Sequence, residues 1–229
     1  MEKISKLKFK INKLYYFLFK ERFNKKINFD FPLNKNRLDF IQRIIDKKNF
    51  NSYLEIGCDD DTLFSKVKVK EKIGVDPVSG GNFKGTSDEF FLQNSLYFDC
   101  IFIDGLHEYN QVHKDIFNAI NFLKDDGAII LHDCLPSSIH QQAVPRYKSG
   151  WTGDVWKVIV NIRTRPEYDT ITCNIDCGLS IIRKKKNKDL LNIKTNDFKK
   201  LKFKDFYNNH KIYMRIMDYN ETFDYLDRA

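Results

Sequence analysis

The chain has 229 residues, 42% of them hydrophobic, which suits one good-sized domain with its own core and is too short for two large ones. The five cysteines are irregularly spaced with no CxxC pair, which argues against a disulfide framework and for free thiols in a reducing, cytoplasmic setting. The net charge of +8 belongs to the ends: residues 1–50 hold 14 Lys/Arg against 5 Asp/Glu and residues 183–229 hold 13 against 7, whereas residues 51–182 hold 12 against 19.

Basic ends are candidates for contact with nucleic acid or anionic lipid. A chain rich in Lys, Asn, Ile, Phe and Tyr is also what an AT-rich genome yields. Residues 1–36 read as a basic, helical N-terminal extension. Its apolar run, Leu14 to Phe19, is only six residues long. A membrane span needs about 20 and a secretory core about 7–15 followed by a cleavage site. The segment therefore predicts an amphipathic helix packed on the domain, with a helix lying on a membrane surface as the alternative.

From residue 37 the pattern alternates. "NRLDFIQRIIDKKNF" spaces Leu38, Ile41, Ile44 and Ile45 as a helix. "SYLEIG" is a buried strand, "TLFSKVKV" a short helix and "KIGVD" a second strand ending at Asp76. "GTSDEFFLQN" gives a short third strand and a helix start, and "FDCIFID" a fourth strand ending at Asp104. "NQVHKDIFNAINFLKDDG" predicts a helix with Val112, Ile116, Phe117, Ile120 and Phe122 or Leu123 turned inward and Gly127 as its stop. "AIILHD" is a fifth strand, and "GDVWKVIVNIRTR" a helix stopped by Pro166. "YDTITCNID" and "GLSIIRKK" form a hairpin about Asp176–Gly178. Residues 186–229 read as a basic helical extension packed on the same domain. The predicted fold is α/β: a Rossmann-like, seven-stranded, mostly parallel sheet closed by an antiparallel hairpin, with helices on both faces.

In such sheets ligands bind at the carboxyl ends of the strands. Those ends carry Glu55 and Gly57, Asp76, Ser87 and Asp88, Asp104, and His132 and Asp133. Asp76 lies 21 residues after Glu55 at the end of the next strand, where dinucleotide folds place the acid that binds ribose hydroxyls. The usual G-x-G-x-x-G is absent. Asp59, Asp60 and Asp61 follow Gly57 instead, and would repel a pyrophosphate. A ligand with a ribose and a positive centre but no phosphate fits better, and S-adenosylmethionine has that chemistry. The three aspartates themselves read as solvated or as N-caps of the next helix, with a cation site as the lesser alternative. His113 reads as surface, and His140 and His210 have no evident partners.

"YLEIGC", "IGVD", "FDCIFIDGLHEY", "LKDDGAIILHD" and "GDVWK" together resemble the class I S-adenosylmethionine-dependent methyltransferases, over about residues 37–185. The resemblance is to the subgroup with Asp-Gly-x-His-x-Tyr after strand four and His-Asp at the end of strand five. It implies that Glu55 and Gly57 shape the methionine pocket, that Asp76 holds the ribose, and that Ser87 and Asp88 border the adenine. Asp104 would face both the methionine end and the acceptor. It implies two ways to activate an acceptor hydroxyl: His107 as general base beside Asp104, or a divalent ion on Asp104, His132 and Asp133. Trp151 and Trp156 would wall the acceptor or belong to the core. Asp59 departs from the family, which has a second glycine there.

The expected function is O-methylation of a small molecule or sugar-like acceptor. A nucleic-acid methyltransferase is the alternative, weakened because no Asn-Pro-Pro-Tyr-like motif follows strand four. A non-catalytic module that binds S-adenosylmethionine is the third reading. Nothing in the sequence speaks to oligomeric state.

Overall fold

The computed structural model describes residues 5–228. The elements run α1 (Lys6–Phe19), α2 (Arg37–Lys48), β1 (Ser52–Ile56), β2 (Glu71–Asp76), β3 (Phe83–Lys84), α3 (Ser87–Gln93), β4 (Phe98–Ile103), α4 (Tyr109–Asn121), β5 (Leu123–Leu131), α5 (Trp156–Arg163), β6 (Asp169–Cys173), β7 (Leu179–Arg183), α6 (Phe203–Met214), β8 (Ile216–Met217) and α7 (Tyr219–Arg228). They build one sheet in the order β3-β2-β1-β4-β5-β7-β6-β8. β1, β2, β3, β4 and β5 are mutually parallel, and the β6–β7 hairpin packs antiparallel against β5. The chain leaves β1 to one side for β2 and returns to its other side for β4, so the topological switch lies at the end of β1.

Every residue of β1, β6 and β7 is buried, as expected of central strands covered on both faces. On one face Leu54, Ile56, Ile101, Ile103 and Ile129 pack with α3, α4, α5 and α6. On the other, Tyr53, Phe102, Ile130 and Ile181 pack with α2 and α7. Trp156 is fully buried against Phe206 of α6, at 4.7 Å between ring centroids, and belongs to the core rather than to an acceptor wall.

The sheet has an eighth strand beyond the seven expected: β8, from the C-terminal segment, pairs in parallel with β6. The predicted helix at "TLFSKVKV" is instead a pair of turns, with bonds from Ser65 N–H to Asp61 O and from Val67 N–H to Leu63 O. The Lys72 ammonium reaches the carbonyls of Phe64 and Val67 and ends the coil there. Gly127 does not stop a helix: α4 ends at Asn121, and Gly127 lies within β5, beside a register shift against β4. His113, read as surface, is half-buried, stacked on Tyr109 and tilted against Phe117.

Candidate active site

Two ladders continue one residue past β1. Gly57 N–H donates to Val75 O at 2.9 Å, and Asp104 N–H donates to Ile56 O at 2.8 Å. Gly57 sits at φ +91°, and a Cβ there would lie 2.3 Å from the carbonyl oxygen of Asp104. Only glycine lets the ends of β1 and β4 close to this distance.

The aspartates after Gly57 make the turn. Asp59 and Asp61 adopt left-handed φ values of 48° and 63°, a region aspartate enters more readily than most residues. That is how the chain dispenses with a second glycine. Asp61 Oδ1 accepts from Gly81 N–H at 2.6 Å, and Asp60 Oδ1 from Thr62 N–H at 3.0 Å. Asp59 N–H donates to Asp76 Oδ2 at 3.0 Å. Asp76 Oδ1 also accepts from the N–H groups of Val78 and Ser79. Burial alone would raise the Asp76 carboxyl, but the amides of Ser79, Val78 and Asp59 prevail and hold it below the usual range.

A cavity of about 470 Å³ opens here, within the size range of small-molecule sites. Val75, Pro77, Val78 and Leu106 give it apolar walls, and Asp76, Ser87 and Asp88 are its polar groups. Two residues that the sequence reading had not placed in the site line it as well. Asp115, from the buried side of α4, accepts from the Ser87 hydroxyl at 2.6 Å. Gln111 donates to Asp115 at 3.0 Å and lies 3.2 Å from Asp88. Burial raises the Asp115 carboxyl.

A second cavity of about 440 Å³ lies between the N-terminus of α2 and the ends of β1 and β4. Arg37, Glu55 and Asp176 line it, and it shares Gly57, Asp59 and Asp104 with the first. Glu55 is 1% exposed and accepts a 2.6 Å hydrogen bond from the Tyr53 hydroxyl. Burial, against the pull of that bond, raises its carboxyl to about 7.

Asp104, His107, His132 and Asp133 meet where the two cavities join. His107 Nε2 is 3.0 Å from Asp104 Oδ1, and His107 Nδ1 is 3.1 Å from Asp133 Oδ2. His132 Nδ1 is 3.2 Å from Asp104 Oδ1, and its Nε2 is 3.4 Å from Asp176 Oδ1. Burial disfavours the charged imidazole of His132, but Asp104 and Asp133 override it and push the group up to about 10. His107 is raised in the same way, burial being outweighed by Asp104 and Asp133. In turn the imidazoliums hold Asp104 well below the usual carboxylate range against its burial. Asp133 goes the other way, raised chiefly by burial. It stands at φ +60°, a left-handed conformation that turns the chain sharply at the end of β5.

The cluster draws in two residues that the motifs had not marked. Arg37, the first residue of α2, reaches Asp104 Oδ2 at 2.7 Å and Asp176 Oδ2 at 2.9 Å. Asp176 sits in the hairpin turn, which is fixed on the end of β5 by Cys134 N–H to Gly178 O and Leu135 N–H to Cys177 O. Asp104, His107 and Asp133 each offer a ligand atom within 4.8 Å of the others. In this grouping His107 stands with the two carboxylates where the sequence reading put His132, while His132 bridges Asp104 to Asp176. Neither His107 Nδ1 nor His132 Nε2 has a well-aligned hydrogen bond, although both are buried. Trp151 stacks on His107 at 5.5 Å, its indole N–H donating to Ala143 O. Gly153 anchors that loop: at φ +64° its Cβ position falls 1.7 Å from the His107 carbonyl, so no side chain fits.

Residues 73–134, which span β2 to the end of β5, match a family model described as a methyltransferase domain. No curated protein matches the sequence. Among solved structures, the fold is similar to the SAH-bound methyltransferase PaMTH1 of Podospora anserina, with a TM-score of 0.51 and 15% identity over 65% of this chain and 78% of that one. The chain has the fold of a methyltransferase domain. Cofactor-bound Rv0187 from MTB is similar over 81% of this chain and 100% of its own, with a TM-score of 0.50 and 11% identity. The O-methyltransferase from Bacillus cereus in complex with SAH is similar over 80% and 93%, with a TM-score of 0.48 and 11% identity. The matched segment includes β2 and β4, the strands that flank β1 on either side.

Proposed function

We propose that the protein is an S-adenosylmethionine-dependent methyltransferase acting on a hydroxyl of a small-molecule acceptor. The observation that carries this reading is Asp104, which lines both cavities and ties the nucleoside-sized crevice to a cluster of two histidines and three aspartates. S-adenosylmethionine, when bound, supplies a methyl group on a sulfonium, open to direct displacement by a nucleophile.

The residues present fit that group. The crevice combines apolar walls with a ribose-binding acid. A carboxylate offers about four acceptor positions. Three of those on Asp76 are taken by backbone amides, which leaves about one for a ribose hydroxyl. Glu55, Asp104 and the aspartate turn give the second cavity the negative character that suits an ammonium and a sulfonium. Arg37, also in its lining, suits a carboxylate.

The cluster's task is to orient the acceptor and to remove its proton. His107 is held between two carboxylates, with Trp151 across one ring face, so its orientation is fixed before an acceptor arrives. Asp104, His107 and Asp133 also fit a divalent ion, two carboxylates and an imidazole being a common donor set. Such an ion would lower the pKa of an acceptor hydroxyl. His132, raised to about 10, is a counter-charge for Asp104 and Asp176 and is poorly suited to be a base at neutral pH.

The test is calorimetric titration with S-adenosylhomocysteine and, as a control, NAD. Binding of S-adenosylhomocysteine in the micromolar range, with NAD much weaker, supports the reading. Tighter binding of NAD overturns it.

A further inference from the structure

Helix α1 has two faces of opposite character. Its inner face is clamped to the loop that carries Trp151. Tyr16 is buried, its hydroxyl accepts from Gln142 Nε2 at 2.9 Å, and its ring lies 5.5 Å from that of Tyr147. One turn earlier, Asn12 Nδ2 donates to Arg146 O at 2.7 Å. These contacts fix the rotation of the helix about its axis.

The outer face is therefore a built feature. Leu7, Ile11, Leu14 and Leu18 fall at i, i+4, i+7 and i+11, on a single stripe. All four are exposed, Leu7 at 68% and Leu14 at 60%, and Phe17 and Phe19 beside them are exposed too. Scattered exposed apolar residues are ordinary, but a continuous stripe over three turns marks a binding surface. Lys6, Lys10 and Lys13 run along one side of the stripe and Lys8 along the other, with no acidic residue anywhere in Lys6–Phe19. Lys20, Arg22, Lys25 and Lys26 continue the positive charge beyond the helix.

We infer that α1 is a membrane-docking helix that lies in the interface of an anionic lipid surface, with its stripe in the acyl boundary and its lysines at the headgroups. The charge decides between occupants. A second copy of the same helix would set lysines against lysines along the seam, whereas anionic headgroups complement them. With 14 residues the helix lies on a bilayer and does not cross it, and no helix among the described residues is long and apolar enough to do so. This inference stands independently of the reaction proposed above.

The test is flotation of the full-length protein with vesicles of phosphatidylcholine alone and of phosphatidylcholine with phosphatidylglycerol. Binding to the anionic vesicles only, weakened by salt, is expected. Leu7→Ser with Leu14→Ser changes side chains that touch solvent, so the fold is retained, and binding should fall at least tenfold. Lys6→Gln, Lys10→Gln and Lys13→Gln should each cost about fivefold, the equivalent of about 1 kcal/mol per basic residue near such a surface. Circular dichroism and binding of S-adenosylhomocysteine, unchanged in the variants, establish that they are folded. Absence of binding to anionic vesicles, or binding that the double serine variant leaves intact, overturns the inference. So does a sedimentation-velocity dimer that the double serine variant dissolves and vesicles do not, because the stripe is then covered by a second copy.

Discussion

The two cavities that meet at Asp104 are held together by opposite means. The crevice beside Asp76 is shaped by backbone: β1, the aspartate turn and β2 are contiguous, and Asp76 is fixed by three amides from its own neighbourhood. The side that holds the charged cluster is shaped by charge. Arg37, Asp104, His107, His132, Asp133 and Asp176 come from four separate parts of the chain and hold one another by ion pairs. A backbone-built site is rigid and tolerant of substitution around it. A site built from buried charges behaves as one unit, because removing one member leaves the others uncompensated in a low dielectric.

The largest effect should come from breaking that unit. Asp104→Ala removes the shared partner of Arg37, His107 and His132. Turnover should be lost, and denaturant unfolding should show a stability loss of about 3 kcal/mol, the lower end for a broken buried pair because Arg37 is 32% exposed. An Asp104→Ala protein as stable as the wild type would show that the charges are not coupled. Next, His107→Ala should cost about 10²–10⁴-fold in rate and leave the affinity for S-adenosylhomocysteine nearly unchanged. Where no ion takes part, EDTA has no effect and the rate rises with pH. Its inflection then lies above the ordinary imidazole value, since His107 is raised and only its neutral form accepts a proton. Abolition of turnover by EDTA, restored by a divalent metal, assigns the activation to Asp104, His107 and Asp133 as ligands.

The crevice should respond in the opposite sense, through affinity. Asp76→Ala should weaken binding of S-adenosylhomocysteine by about 1.5–3 kcal/mol, partly by releasing the turn that the carboxylate organises, with the rate at saturation little changed. Unchanged affinity would remove Asp76 from the site. The smallest effect concerns Glu55. Its carboxyl stands at about 7 in the folded protein, above its ordinary 4.5, so its contribution to stability is fully present below about 4.5 and is lost as pH rises through about 7. A positively charged ligand beside it favours the ionised form. Affinity should therefore rise with pH up to about 7 and level off above it, a slope that Glu55→Gln abolishes in a calorimetric series.

The same contrast explains what the sequence revealed. Glu55, Gly57, Asp76, Ser87 and Asp88 were legible because strand ends and turns are local signals and the parallel topology aligns them. Asp104, His107, His132 and Asp133 were legible as two consecutive strand ends. Arg37 lies 67 positions before Asp104, at the start of a helix whose apolar spacing explained it fully, and nothing local marks it. Asp176 read only as a hairpin turn. That the turn folds back onto β5 depends on antiparallel pairing across the sheet, a long-range fact. Gln111 and Asp115 were hidden by an apolar pattern in α4 that accounts for Val112 and Ile116 and says nothing of polar residues turned the same way. Asp59 read only as a departure from the family's second glycine; that aspartates at 59 and 61 enter the left-handed region and make the turn themselves is visible only in the folded chain.

β8 is only two residues long, but it lies alongside β6 at the rim of the sheet. On a ribosome, β6 is complete some forty residues before Ile216 and Met217 are made. Until then its outer hydrogen-bonding row, in a strand buried throughout the finished protein, stands open to any neighbouring extended chain. A segment made well after β6 thus covers the end of that row at Thr172 and Cys173, and cell-free translation stalled before residue 216 should yield a product that aggregates more than one extended through residue 228.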